Sequence, residues 1–223
     1  MFRTHRTSQT NEMIMPHTIV MLSSVILLTS AIFSPPRVAG QGASPKPEDQ
    51  QLQNGIASLV KEHEGQVGVA IRHLETGDYY HFQANKPMPT ASLIKLPLMI
   101  ATFRAIDAGD LTLDKKIPLK ATDKVPGSGV LTDHISDGVS LPLGDYIRLM
   151  MCYSDNTATN LVIDALGLEK TADVTKALGC PNTKLHSKVY RGDTSIFPER
   201  SKEFGLGSTT AAEMVRLLEM LHN

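Results

Sequence analysis

"ASLIKLPLMIATF", residues 91–103, decides how the rest of this 223-residue chain is read. From Leu93 onward the segment is apolar on nearly every side of a helical wheel, so a helix here is buried on most faces. Two residues do not suit a plain core helix. Ser92 stands at its first turn, after "KPMPT" (86–90), where a hydroxyl can meet the unpaired N–H groups of a helix start. Lys95 is the only charge in the stretch and lies one turn from Ser92 on the same face. A lysine stripped of water has its pKa lowered and becomes a proton acceptor. A serine beside such an acceptor is an activated nucleophile. On this segment alone a second reading stays open, in which Ser92 caps the helix and Lys95 snorkels to solvent. Pro97 implies a bend or a late helix onset.

A near copy, "ASLVK", occupies 57–61. There Leu52, Ile56, Leu59 and Val60 share one third of the wheel, and Ser58 and Lys61 fall opposite, on the wet face. A solvated lysine, with a pKa of ~10.4, keeps its proton at neutral pH. No chemistry is assigned to that pair. Its flanks differ from those of 91–95, so the two are not a duplication.

A second stretch, "CYSDNTATN" (152–160), places Ser154, Asp155 and Asn156 between two helical patterns. Read alone, it is an N-cap, since Ser, Asp and Asn are preferred there. Read with Ser92 and Lys95, it completes a set. A buried Ser-x-x-Lys followed about sixty residues later by Ser-Asp-Asn resembles the penicillin-recognising serine hydrolases, the class A β-lactamases and penicillin-binding proteins. The surrounding "SDGVSLPLGDYIRLMMCYSDNTATNLV" (136–162) is similar to the class A pattern, and the resemblance extends over 49–223.

The resemblance implies an α/β (α+β) fold of the β-lactamase/DD-peptidase type, an antiparallel sheet packed by helices with a helical subdomain. It makes Ser92 the nucleophile and Lys95 the amine beside it, with either that lysine or a separate glutamate as activating base. Ser154 then relays a proton toward the leaving nitrogen. Asn156 binds the substrate amide and holds Lys95. Asp155 faces away and ties loops together. The Ser92 N–H becomes one oxyanion donor.

Two departures stand out. The Glu-x-x-Leu-Asn motif that orients the deacylating water in class A enzymes does not occur. Aligning Leu185 with the loop's usual leucine puts Val189 in the glutamate position. Asp193, Glu199 and Glu203 are nearby carboxylates, read as solvated or paired with Arg191, Arg200 and Lys202. Asp193, the earliest, is the candidate deacylation base. The Lys-Thr/Ser-Gly triad is also missing, since "ETG" (75–77) reads as a hairpin turn. The last quarter to third of a family domain is therefore expected to lie outside this chain, and the sheet to be small. The expected function is β-lactam hydrolysis through an acyl-enzyme on Ser92. One alternative is a D-Ala-D-Ala peptidase or penicillin-binding acyl enzyme of the cell wall, and the other a non-catalytic remnant or binding module.

The remaining features bound the organisation. A basic start, an apolar run and small residues over 1–40 have the order of a secretory signal, so the protein is expected to be exported to the periplasm or secreted. Residues 41–48 read as a linker and 49–223 as the catalytic domain. A net charge of −1 offers no electrostatic case for nucleic acid. The partner expected is a small β-lactam or a peptidoglycan stem peptide, with no membrane contact beyond the signal segment, and the protein is expected to be a monomer. No metal-ligand spacing appears among the histidines, and no cofactor is expected. Cys152 and Cys180 allow one bridge, and the reading taken is two partly buried free thiols. The patterns give a helix over 49–64, strands over 67–75 and 79–83, and a helix over 93–108 stopped by Gly109. Loop-rich 125–140 precedes helices over 141–153, 156–165 and 170–178. An irregular stretch then leads to a last helix capped by 208–210.

Overall fold

The computed structural model describes residues 47–222. The signal reading over 1–40 and the linker reading over 41–48 fall outside it, except that Pro47 and Glu48 already belong to the first helix. That helix, α1 (Pro47–Glu62), precedes a hairpin of β1 (Val69–Arg72) and β2 (Tyr79–Phe82). The hairpin pairs Val69 with Phe82 and Arg72 with Tyr79. Gly77 supplies the positive φ of its turn, +74°. After β3 (Met88–Pro89) the chain enters a 3₁₀ turn, Ala91–Ile94, and then α2 (Lys95–Asp107). The α-helix thus begins later than the apolar pattern does, as Pro97 implied. Its missing N–H costs nothing in the first turn. Gly109 follows α2 with φ +79°.

Next come β4 (Lys116–Pro118), the single turn α3 (Leu131–His134) and β5 (Ser140–Pro142), which pairs antiparallel with β4. Three helices follow: α4 (Leu143–Cys152), α5 (Asn156–Leu166) and α6 (Leu168–Ala177). The stretch over 179–207 holds more structure than its sequence suggests. It contains β6 (Lys184–Leu185), a 3₁₀ turn at Gly192–Thr194, α7 (Pro198–Phe204) and the start of β7 (Gly207–Thr209). The last helix is α8 (Ala211–His222). β7 lies between β3 and β6 in a three-stranded antiparallel sheet. The described residues therefore form a helix-rich α+β fold with three small antiparallel sheets.

The core lies where α2 meets α4 and α5. Ile94, Leu98, Leu143, Tyr146, Met150 and Val162 are all fully buried there. Burial of each such side chain contributes about 1.5–3 kcal/mol. Tyr146 is tolerated because its hydroxyl donates to the Ile117 carbonyl at 3.0 Å, which ties α4 to β4. Helix α5 is buried along Asn156–Ile163, polar residues included. Each polar side chain there is satisfied; the Thr159 hydroxyl, for one, donates to the Asp155 carbonyl at 2.6 Å.

The amphipathic reading of α1 holds only as a pattern. Ser58 and Lys61 are exposed, but Leu59 is 70% exposed and Leu52 44%. The other two residues of the apolar stripe, Ile56 and Val60, are half-buried. The two thiols differ from the expectation of two partly buried groups. Cys152, at the end of α4, is exposed, and Cys180 is buried; both are free. Burial raises the Cys180 thiol to a pKa of about 11.

Candidate active site

Ser92 sits on the 3₁₀ turn, which two backbone bonds fix. Thr90 N–H donates to the Gly207 carbonyl of β7 at 3.1 Å, and Leu93 N–H to the Thr90 carbonyl at 3.0 Å. Ala91 enters the turn with φ +44°. Ser154, between α4 and α5, has φ +53°. Non-glycine residues in this left-handed region store about 1–3 kcal/mol of strain each and persist only where their surroundings impose it. Here the imposed turn aims both the carbonyl and the hydroxyl of Ser154 at one amine.

That amine is Lys95, 3% exposed, at the first position of α2. Its Nζ lies 2.6 Å from the Ser154 carbonyl, 2.9 Å from Ser154 Oγ, 3.1 Å from Asn156 Oδ1 and 3.2 Å from Ser92 Oγ. The two serine hydroxyls are 3.0 Å apart. Burial pushes the Lys95 pKa down, and the Asp155 charge partly opposes this. Donor accounting shows what the cage can do. The Ser154 carbonyl and Asn156 Oδ1 accept and never donate, so they fix two N–H groups of the amine. The remaining position faces the hydroxyl pair. A neutral amine offers a lone pair there, and an ammonium a third N–H. Both protonation states fit the same heavy-atom positions, so a proton can pass between hydroxyl and amine without rearrangement.

Asp155, 1% exposed, holds the frame from behind. Its Oδ1 accepts from Ala158 N–H at 2.8 Å and so caps α5. Its Oδ2 accepts from Val130 N–H at 2.7 Å and Leu131 N–H at 2.9 Å. The N-cap reading of this segment and the loop-tying reading are thus both visible in one carboxylate. Asn156 extends the tie: its amide donates to the Pro126 carbonyl at 3.1 Å, and its backbone N–H to the Ser128 carbonyl at 2.9 Å. Gly129, with φ +129°, passes so close that a Cβ would lie 2.3 Å from the Asp155 carboxylate. Gly129→Ala is therefore expected to cost about 2–3 kcal/mol, measured as a lowered denaturation midpoint. Gly192→Ala, with nothing within 4 Å of the added atom, should stay within about 0.5 kcal/mol of the parent.

The loop over 186–206 leaves from β6 and returns to β7, its ends joined by His186 N–H to the Leu206 carbonyl at 2.8 Å. Val189, 7% exposed, is clamped to α5 by one side chain. Asn160 Oδ1 accepts from Val189 N–H at 2.8 Å, and Asn160 Nδ2 donates to its carbonyl at 3.0 Å. Asn160 went unremarked in the sequence. Its spacing of four from Asn156, which puts both on one face of α5, was the available signal. The structure brings Ser92, Lys95, Ser154 and Asn156 together. It places Asp193 on the exposed turn Gly192–Thr194, with no hydrogen bond or ion pair to any of them. Glu199 is exposed and paired with Lys202 at 2.7 Å. Arg191 and Arg200 serve other partners, the Thr122 carbonyl and Ser208 Oγ.

A family model described as "Beta-lactamase enzyme family" matches residues 51–223. The chain belongs to the beta-lactamase enzyme family. Among curated proteins it is 25% identical to beta-lactamase CARB-4 of Pseudomonas aeruginosa over 137 residues, 61% of this chain and 47% of that protein. It is 29% identical to a beta-lactamase of Proteus vulgaris over 116 residues, covering 52% of this chain and 38% of that protein. The fold is similar to the crystal structure of a beta-lactamase from Sphaerobacter thermophilus, with a TM-score of 0.66 and 36% identity. That likeness covers 76% of this chain and 61% of the solved one. It is also similar to PBP-A, with a TM-score of 0.67 and 25% identity over 77% and 61% of the two chains. A leucine-to-glutamate mutant of PBP-A, solved as an acyl-enzyme complex with penicillin G, matches with a TM-score of 0.65 and 25% identity. It covers 75% of this chain and 60% of that one. The chain thus spans less than half of these curated beta-lactamases and about three fifths of the solved structures.

Proposed function

We propose that this protein hydrolyses β-lactams through an acyl-enzyme on Ser92, with slow release of the acyl group. One observation carries the reading: a buried amine held by two carbonyl oxygens and facing two serine hydroxyls, one of them exposed to an incoming carbonyl. Ser92 Oγ attacks the lactam carbonyl carbon, and its proton passes to Lys95 Nζ. Charge gathers on the carbonyl oxygen. The first N–H groups of a helical turn lack intrahelical acceptors, and the Ser92 N–H is so placed. The tetrahedral adduct collapses with cleavage of the C–N bond. The nitrogen takes a proton from the Ser154 hydroxyl, which Lys95 replaces. Water then cleaves the ester. In this reading the N-terminal segment makes the protein an exported one.

The second reading, a cell-wall D-Ala-D-Ala peptidase that β-lactams inhibit, is favoured by Val189. That residue offers no carboxylate in the clamped position. The two readings differ in the fate of the ester. General-base assistance is typically worth about 10²–10⁴-fold, so without it the acyl-enzyme accumulates. Stopped-flow turnover of a chromogenic cephalosporin by the full-length gene product should show a burst followed by a slow phase. Val189→Glu should speed the slow phase by about tenfold or more and leave the burst rate unchanged. Fast turnover without a burst in the parent means that another base acts. Asp193→Asn is the variant that then identifies it, by a collapse of turnover.

A further inference from the structure

We propose that Tyr190 is a specificity-determining residue of this site, a wall that selects acyl donors carrying a flat apolar ring on their amide side chain. The inference rests on the acyl-enzyme reading above and deepens it. Every neighbour of Tyr190 in the turn over 188–191 is tied down. Lys188 pairs with Asp164, and its N–H donates to Thr194 Oγ1 at 2.9 Å. Val189 is clamped by Asn160, and the Arg191 guanidinium donates to the Thr122 carbonyl at 2.8 Å. The turn closes through Arg191 N–H to the Lys188 carbonyl at 3.2 Å.

Tyr190 alone has no hydrogen bond. It is 65% exposed, and it holds φ +58°, at a turn position where glycine is the unstrained choice. A bulky residue in that region is a strained outlier. The surroundings therefore impose a conformation that the tyrosine itself opposes, and they leave its side chain largely exposed.

The ring's location follows from Gly127. A Cβ on that glycine would lie 2.7 Å from Asn156 Nδ2 and 3.1 Å from Tyr190 OH. The tyrosine hydroxyl and the Asn156 amide thus flank a single Cβ-sized space. Asn156 is the group expected to bind the substrate amide, with the N–H that its bond to Pro126 leaves over. Whatever substituent that amide carries must leave it beside Tyr190. An exposed aromatic face rewards a flat apolar group there. Two further exposed apolar residues, Leu93 and Tyr153, directly follow Ser92 and precede Ser154 in the chain.

The test compares benzylpenicillin, which carries a phenyl ring on its amide, with 6-aminopenicillanic acid, which carries a free amine. Acylation rate constants are read by intact mass on the full-length gene product, its Tyr190→Gly variant and its Tyr190→Phe variant. Tyr190→Gly should slow benzylpenicillin acylation about tenfold and leave 6-aminopenicillanic acid within about twofold of the parent. The same variant should raise the denaturation midpoint, because the left-handed turn position is relieved. Tyr190→Phe should acylate like the parent with both probes. A merely structural role predicts an equal change for both probes, and that result overturns the inference. So does unchanged benzylpenicillin acylation in Tyr190→Gly. If the parent forms no adduct with either probe, the acyl-enzyme reading itself fails and this inference falls with it.

Discussion

Ser92→Ala abolishes the covalent adduct formed with benzylpenicillin, and Ser58→Ala leaves it unchanged; this is the expected result of intact-mass analysis on the full-length gene product. The two serines share nearly the same pentapeptide, so local sequence cannot separate them. Their lysines do. Lys61 is exposed on α1, so nothing there strips the amine of water. Lys95 is buried, its pKa is lowered, and its Nζ lies 3.2 Å from Ser92 Oγ. Removing Ser92 Oγ removes the attacking atom. No other described serine adjoins a buried amine except Ser154, whose hydroxyl stands 3.0 Å behind Ser92. An adduct that survives Ser92→Ala would move the nucleophile to Ser154 or elsewhere and end the assignment. The variant should fold, because Ser92 is an exposed residue whose hydroxyl is hydrogen-bonded, among the described residues, to Lys95 and Ser154 of the site itself.

The contrast between the two pentapeptides also shows what was legible beforehand. Apolar surroundings on the wheel of 93–103 left Lys95 either desolvated or snorkelling to solvent, and the structure buries it. The N-cap preference of Asp155 was readable from three residues, and so was a connection between two helices. What a chain pattern does not carry is the left-handed turn at Ser154, since serine has no propensity for positive φ; tertiary bonds impose it. The three-stranded sheet was equally hidden. β3, β6 and β7 are two or three residues each, too short for a period-2 pattern to emerge. They form because distant segments meet, not because each segment favours extension. The partly exposed stripe of α1 is the converse case. Its periodicity correctly gave a helix, but periodicity cannot say whether a partner covers the apolar side. Asn160 was missed for a third reason: its spacing of four from Asn156 puts it on the same face of α5, but that spacing does not name the loop it holds, which only the tertiary fold brings into place.

Lys95→Arg should slow acylation by about 10²–10⁴-fold, the usual value of general-base assistance. Arginine keeps the charge and can donate, but it cannot deprotonate in a protein. It would hold the cage without accepting the Ser92 proton. The same logic fixes the pH dependence. Burial lowers the Lys95 pKa below its ordinary 10.5, and only the neutral amine offers a lone pair to Ser92. Acylation should therefore rise as pH increases through the lowered pKa and level off above it. Stability carries the matching signature. Between the folded and unfolded pKa values the unfolded chain binds more protons than the folded one, so stability increases with pH across that window. Lys95→Met removes the titration, and its stability should lack this rise. Acylation rates measured from pH 5 to 10 on parent and Lys95→Arg, with denaturant midpoints on parent and Lys95→Met, check both halves. An acylation rate that Lys95→Arg leaves intact would assign the base to another group. A parent profile that falls with rising pH would require the ammonium, acting by its charge and not as the acceptor.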